Sequence, residues 1–396
     1  MAARSRRAFG AVLLAVFVAS CSQVAAQLPS RAPGVSSVPS PAGSPSPDPS
    51  PPPRSPVPPA TADRSGSEPP ANVYGARVGG TLVPGVRGTP ERVFVPNEGD
   101  GTVSVIDART SKVVRRIRVG GLPHHITPTW DMSQIVVDTM GANRLTIIDP
   151  RTLRIVRTVK VASPYNLYFT PDGTKAVVVA ESLDRLDVYE LPAWRLAHRI
   201  STPDRGIDHL DFSADGSYLL ASTEFSGTVV RVDLVSMAVT GRLRLGGSTV
   251  DVKLTPNGRY FFVANQMRDG VSVVDPLAME EVAFIHTGRG AHGMVFSADT
   301  RRLFVSDRLA GDIAVIDVAT LRLITCWHIG GSPDMLILST LGNRLWVSNR
   351  FGGSVSVVDA RSGRRLATIA TGSSPHGLTY YPQPGAFCIG HNGVTR

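Results

Sequence analysis

The chain is poor in the residues that usually advertise a chemistry. It has three cysteines in 396 residues, none in a haem-attaching CxxCH. A disulfide scaffold and a covalent haem of its own are both excluded. Tryptophan occurs four times, and Trp130, Trp194, Trp327 and Trp346 fall at unrelated places, so no stacking platform for nucleic acid is implied. No HExxH, phosphate loop or nucleophile elbow is present. No segment holds a helical period beyond two turns, which leaves strands and turns to carry the fold. The apolar run Ala8–Ala19 is too short to span a bilayer as a mature helix.

Proline is abundant but confined. Fifteen of the 31 prolines lie between Leu28 and Ala71, among Ser, Ala, Gly, Asp and Arg. Such a segment has too little apolar surface to offset chain entropy and is expected to be an extended spacer. Ahead of it, Arg4, Arg6 and Arg7 precede the Ala8–Ala19 run in the manner of a secretory signal. The run ends in Val18-Ala19-Ser20-Cys21. This resembles a bacterial lipobox, with Val where Leu is preferred, and the resemblance implies lipidation of Cys21. Cleavage after Ala26 is the alternative. The expected organisation is a signal peptide over 1–20, a lipidated Cys21 with a Pro/Ser-rich linker over 21–72, and one folded domain over 73–396. The chain is then exported and held at the outer face of the cytoplasmic membrane. Net charge is +9, or +6 without the three signal arginines.

The domain is one unit of about 42 residues written seven times. The copies start at Arg92, Gln134, Lys175, Tyr218, Tyr260, Arg302 and Arg344, giving spacings by subtraction of 42, 41, 43, 42, 42 and 42. In the fifth, Tyr260–Ala264, Val271–Val274, Glu280–His286 and His292–Ser297 read as four strands separated by turns. That is one blade of a propeller. The predicted fold is an all-β, seven-bladed propeller of four-stranded antiparallel blades, its ring closed by pairing of N- and C-terminal strands. His376–Tyr381 should supply the innermost strand of the first blade. That leaves Ala386–Gly390 surplus, either displacing a strand near Val93 or joining a sheet extended by Val78–Val86. Cys326 falls on an outer strand and Cys388 on an inner strand of another blade. A disulfide needs Cα atoms within about 7 Å, so two buried free thiols are expected.

What recurs in every blade is scaffold. An acid closes the second strand of each copy: Asp107, Asp149, Glu190, Asp233, Asp275, Asp317 and Asp359. Seven equivalent acids cannot serve one site, and a carboxylate there can bind the N–H groups of the following turn. Arginines and lysines recur in the third run (Lys112, Arg115, Arg116, Arg118; Arg151, Arg154, Arg157; Arg361, Arg364, Arg365), as a solvated rim that protects an edge.

Val93-Phe94-Val95-Pro96-Asn97 with Thr102-Val103-Ser104-Val105-Ile106-Asp107, and Leu345-Trp346-Val347-Ser348-Asn349 with Ser354-Val355-Ser356-Val357-Val358-Asp359, resemble the YVTN family of propeller repeats. The Gly-His and Trp-Asp pair of WD40 repeats is missing. The resemblance covers about three-quarters of the chain and implies the fold. Similar repeats occur in exported surface-layer-like proteins, beside quinone-dependent dehydrogenases, and in lactonase-like enzymes.

Where the copies disagree, the chain encodes something particular. The loop entering each inner strand gives one column of His124, Tyr165, Asp208, Val250, His292, Asp334 and His376. The next gives His125, Asn166, His209, Asp251, Gly293, Met335 and Gly377. Five of the nine histidines lie in these fourteen positions. In ring order His292, Asp334, His376 and His124 are contiguous, a set that suits Zn or Cu, while His125, Tyr165, Asn166, Asp208, His209 and Asp251 line the same channel. His198, His286 and His328 read as surface or interblade residues, and His391 as part of a C-terminal tail. The expected function is a monomeric, envelope-anchored binding or scaffold module for a protein, cell-wall or small ligand, more readily than an enzyme. The alternatives are a lactonase- or lyase-like propeller enzyme, metal-dependent or not, and an accessory protein of a periplasmic redox enzyme.

Overall fold

The structure, a computed structural model, describes residues 72–391 and 394–396. The expected signal peptide, Cys21 and the Pro-rich linker lie outside the described residues. Among those described, no helix is long and apolar enough to cross a membrane.

Seven four-stranded antiparallel sheets form the blades. Blade 5 shows the plan: Thr249–Leu254 innermost, then Phe261–Asn265, Gly270–Asp275 and Glu280–His286 outermost. The two inner strands are buried throughout because each has a neighbouring blade on both faces, and their sequences are accordingly near-continuous apolar runs. The outermost strand is largely exposed. Lys112–Arg118 thus turns its charged side chains to solvent and keeps Ile117 inward.

Six of the seven recurrent acids cap the next turn. Asp107 accepts from the Thr110 N–H at 2.7 Å, Asp149 from Arg151 at 2.7 Å, Asp233 from Ser236 at 2.6 Å, and Asp275 from Leu277 at 2.9 Å. Asp317 and Asp359 do the same with Thr320 and Ser362. Glu190, one methylene longer, pairs with the side chain of Arg195 instead.

Blade 1 draws on both ends of the domain. Thr379–Tyr381 pairs antiparallel with Arg92–Phe94, and the Tyr381 hydroxyl donates to the Met132 carbonyl at 2.7 Å. The surplus C-terminal segment joins no blade. Cys388–Gly390 pairs with Val394–Thr395 in a separate hairpin, while Gly75–Val78 and Pro84–Val86 form short helical turns. The hairpin enters the channel from the face opposite the inner-strand starts. There Phe387 stacks on Trp130 with ring centroids 5.4 Å apart, and the Cys388 N–H donates to the Trp130 carbonyl. Arg396 returns to the same face, bonding Asp211 at 2.9 Å and the Phe212 carbonyl at 2.7 Å. Cys388 is buried in this hairpin rather than in a blade. Cys326, expected to be buried, is exposed, because the outer strand that carries it faces solvent; both thiols are free.

Candidate functional site

Inner strands begin at one mouth of the channel, so the two entry columns converge there. His124, His125, Tyr165, Asn166, Asp208, His209, Asp251, His292, Asp334 and His376 are all buried. Serines on the second strands seat these strand starts: the Ser348 hydroxyl donates to the His376 carbonyl at 2.6 Å and accepts from the Met335 N–H at 3.1 Å. Some of the ten are committed to structure. Asn166 holds the Tyr168 hydroxyl and the Leu167 N–H. Asp251 accepts from the Val252 and Met294 N–H groups and meets Lys253 Nζ at 3.2 Å.

Asp334 organises the arc that contains it. Arg308 donates Nε–H to its Oδ1 at 2.7 Å, Arg350 lies 4.0 Å from Oδ2, and His376 Nδ1 meets Oδ2 at 2.5 Å. Burial works to raise this carboxyl, but the charges of Arg308, His292 and Arg350 outweigh it and hold it below the ordinary range. Arg308 also faces His292 Nε2 at 2.5 Å. Arginine only donates, so that nitrogen accepts, and the His292 proton sits on Nδ1, which is 3.4 Å from Asp334. The sequence arc is therefore brought together, but Arg308 occupies the lone pairs of His292 Nε2 and Asp334 Oδ1.

The other imidazoles converge around His125. His376 Nε2 lies 3.2 Å from His125 Nε2, and the His124 ring is centred 4.0 Å from His376 and 4.9 Å from His125. One potential ligand atom from each of His124, His125 and His376 falls within 4.8 Å of the other two. The same holds for His125, His209 and His391. Burial first, then neighbouring charge, holds His124, His125 and His376 well below the usual histidine range, so they are neutral and carry lone pairs. Burial also works to lower His209, but Asp208, 2.9 Å from its Nδ1, reverses the sign and raises it. Nδ1 of His124 and of His125 is buried with no hydrogen-bond partner among the described residues. The orphaned His124 nitrogen is what a bound ion would account for.

The sequence reading missed two features. His391 is no tail residue: the apex of the C-terminal hairpin puts its ring 4.7 Å from His125 and 4.6 Å from His209. Nothing in the repeat signals this, because the hairpin has no counterpart in any blade. The other is a third column, the residue after the strand that pairs with the innermost one in each blade: Glu98, Met140, Glu181, Glu224, Gln266, Arg308 and Arg350. These seven partly buried residues rim the mouth. The copies disagree here as strongly as in the entry columns, so the same comparison of copies would have found it. Burial first, then Asp208 and Glu224, pushes the Glu181 carboxyl up to about 9; burial and Asp208 push Glu224 up to about 7.

Solved structures with this fold differ widely in what their names describe. The chain is 19% identical to a chain of Kuenenia stuttgartiensis hydrazine synthase, covering 77% of this chain and 99% of that one at a TM-score of 0.61. A putative 6-phosphogluconolactonase from Bacteroides uniformis is 16% identical, with 74% and 100% covered and a TM-score of 0.62. The dihydro-heme d1 dehydrogenase NirN, solved with its ligand DHE, is 18% identical, with 79% and 82% covered and a TM-score of 0.58. At these identities the likeness is one of fold. No curated protein matches the chain. A family model does, over residues 84–383, which span all seven blades and stop short of the channel hairpin: the chain belongs to the YNCE-like β-propeller family.

Proposed function

We propose that this chain is an exported binding module, anchored at the membrane through lipidated Cys21, whose propeller holds one transition-metal ion at the channel mouth. The observation that carries the metal is the approach of His376 Nε2 to His125 Nε2 at 3.2 Å. Two nitrogens on one tetrahedral ion with Zn–N of about 2.0–2.1 Å lie about 3.3 Å apart. Asp334 accepts from His376 Nδ1–H, the carboxylate–histidine arrangement that fixes a ligand's tautomer and points Nε2 inward. His124 supplies the third nitrogen. Without metal, one proton bridges His125 Nε2 and His376 Nε2; an ion held there would take its place, and the neutral His125 ring would carry that proton on Nδ1. Zn and Cu fit three imidazoles.

The full chain, purified without a histidine tag and loaded with Zn or Cu, is expected to retain about one equivalent by elemental analysis. His125→Gln and His376→Gln should each abolish retention. Asp334→Asn should weaken affinity about 10–100-fold. His292→Gln should leave it within a few-fold, since its Nε2 serves Arg308. A wild-type content far below one equivalent after loading would sink the metal reading. Cys21→Ser should release the chain from membranes, and unchanged fractionation would remove the anchor.

A further inference from the structure

The lysines and arginines of the outer strands are not spread evenly round the ring. Residues 108–119, the turn and outer strand of blade 1, hold five of them and no acid. Residues 150–161 on blade 2 hold four and 360–371 on blade 7 hold three, again with no acid. All are exposed, and none is in an ion pair among the described residues. The other blades differ. Arg195 and Arg199 on blade 3 and Arg242 on blade 4 meet Glu190, Asp187 and Asp204. Residues 276–287 on blade 5, on the far side of the ring, have Glu280 and Glu281 and no Lys or Arg. A solvated rim that only protects strand edges needs a charge or two per blade. It does not account for unpaired cations gathered on three consecutive blades.

A second pattern coincides with the first. On blade 1 Val105 pairs with Arg115 and Ile106 with Val113, which leaves Val114 outside the ladder. The same bulge leaves out Val156 on blade 2 and Leu366 on blade 7. A bulge bends the edge strand and re-aims the extra side chain. Val114 and Val156 are each 52% exposed and Leu366 is 37% exposed. Each blade of this arc thus presents one aliphatic side chain at the circumference, flanked by Lys or Arg. Blades 3 and 4 have Ala197 and Thr240 at the bulge. Blades 5 and 6 keep an aliphatic residue, Val282 and Ile324, without the cations, since blade 6 has Arg322 alone.

We infer that the circumference of blades 7, 1 and 2 rests on a bilayer rich in anionic phospholipid, with its lysines and arginines on the phosphates and its bulge residues among the headgroups. Each unpaired cation near such a surface strengthens the attraction, and the aliphatic residues between them add buried apolar area. Nucleic acid is the poorer occupant, because the three segments contain no Phe, Tyr, Trp or His on which bases could stack. Contact along the circumference stands the ring on its edge, with the channel axis parallel to the surface. The mouth that gathers the histidines then stays open. The inference rests neither on the metal nor on lipidation of Cys21. Salt screens this hold, so membranes washed in about 0.5 M NaCl still report the anchor alone.

The test uses the full chain carrying Cys21→Ser, so that no acyl chain contributes, and its co-sedimentation with vesicles. These are phosphatidylcholine alone, or phosphatidylcholine with about one-third phosphatidylglycerol. In about 50 mM NaCl the chain is expected to bind the anionic vesicles at least about 10-fold more tightly than the neutral ones, and to leave them in about 0.5 M. Arg115→Glu with Arg157→Glu should weaken binding at least about 10-fold, since each charge near the surface changes it about five-fold. Glu280→Lys, at an exposed position on blade 5, should not weaken it. Val114→Ser with Val156→Ser should weaken binding to vesicles several-fold but leave unchanged the binding to dextran sulfate, which has no headgroup layer to enter. The N-terminal segment is the same in every variant, so the differences report the edge, and all variants should keep the wild-type melting temperature. Three results would each overturn the inference: no binding to anionic vesicles, binding that survives the double charge reversal, or tighter binding of a single-stranded oligonucleotide at equal phosphate concentration that the valine changes do not move.

Discussion

Asp307 ends the second strand of blade 6, where blades 1, 5 and 7 end in Asn97, Asn265 and Asn349. Its carboxylate accepts from the Thr287 hydroxyl and the Gly288 N–H, both at 2.8 Å, yet burial pushes it up to about 7 from an ordinary 3.8. The fold thus favours the protonated acid. The stability this allows is complete below about pH 4 and is lost as pH rises through about 7, where the unfolded chain has long since given up the proton. An asparagine keeps an acceptor for Gly288 and has no charge to lose. We predict that Asp307→Asn is near neutral at pH 4 and stabilises by about 2 kcal/mol at pH 8. Urea unfolding at pH 4, 6 and 8 checks this; a difference that does not change with pH would show that the carboxyl is not the cause.

The C-terminal hairpin belongs to no blade, yet it closes the channel between them. Arg396 is buried against Asp211, and Asp211 in turn accepts from the Leu254 N–H at 2.7 Å. A chain ending at Gly385 strands that carboxylate without its cation, a change that costs about 3–5 kcal/mol at a buried pair. It also uncovers Tyr168, against which Gly390 packs. We predict that this truncation keeps the β-sheet circular dichroism but speeds amide exchange in Asn166–Phe169 and Ile207–Phe212 by at least 10-fold, leaving outer strands unchanged. Exchange that is unaltered at those inner strands would mean the hairpin only decorates the ring. The hairpin was not legible in the sequence because its meaning is non-local. Ala386–Gly390 could be read as surplus to the blades, but only the finished ring shows it turning back on Val394–Thr395 as a hairpin inside the channel.

Across the whole molecule, legibility follows the repeat. Period, blade count, turn-capping acids and the entry columns could be read because each is stated several times, and a chance match does not recur at 42 residues. Pairings between blades, such as Arg308 with Asp334 or His125 with His376, could not, because each is written once and depends on ring order and side-chain reach. Closure lies between the two: the shortfall of one strand in blade 1 was visible, and so was His376–Tyr381 as its remedy, of which Thr379–Tyr381 forms the strand. Without that strand Val93 and Phe94 lose their inner neighbour and the ring acquires two raw edges. Leu378, Tyr380 and Tyr381 are each buried, and burying such side chains is worth about 1.5–3 kcal/mol apiece. Together they approach the 5–15 kcal/mol by which a domain of this kind is stable at all. We therefore predict that a chain ending at Ser374 yields no soluble cooperative fold, whereas one ending at Gly385 unfolds in a single cooperative transition. Thermal unfolding and size-exclusion chromatography of the two truncations separate closure from plugging. A soluble, cooperatively melting Ser374 truncation would show that six complete blades hold the seventh without a clasp.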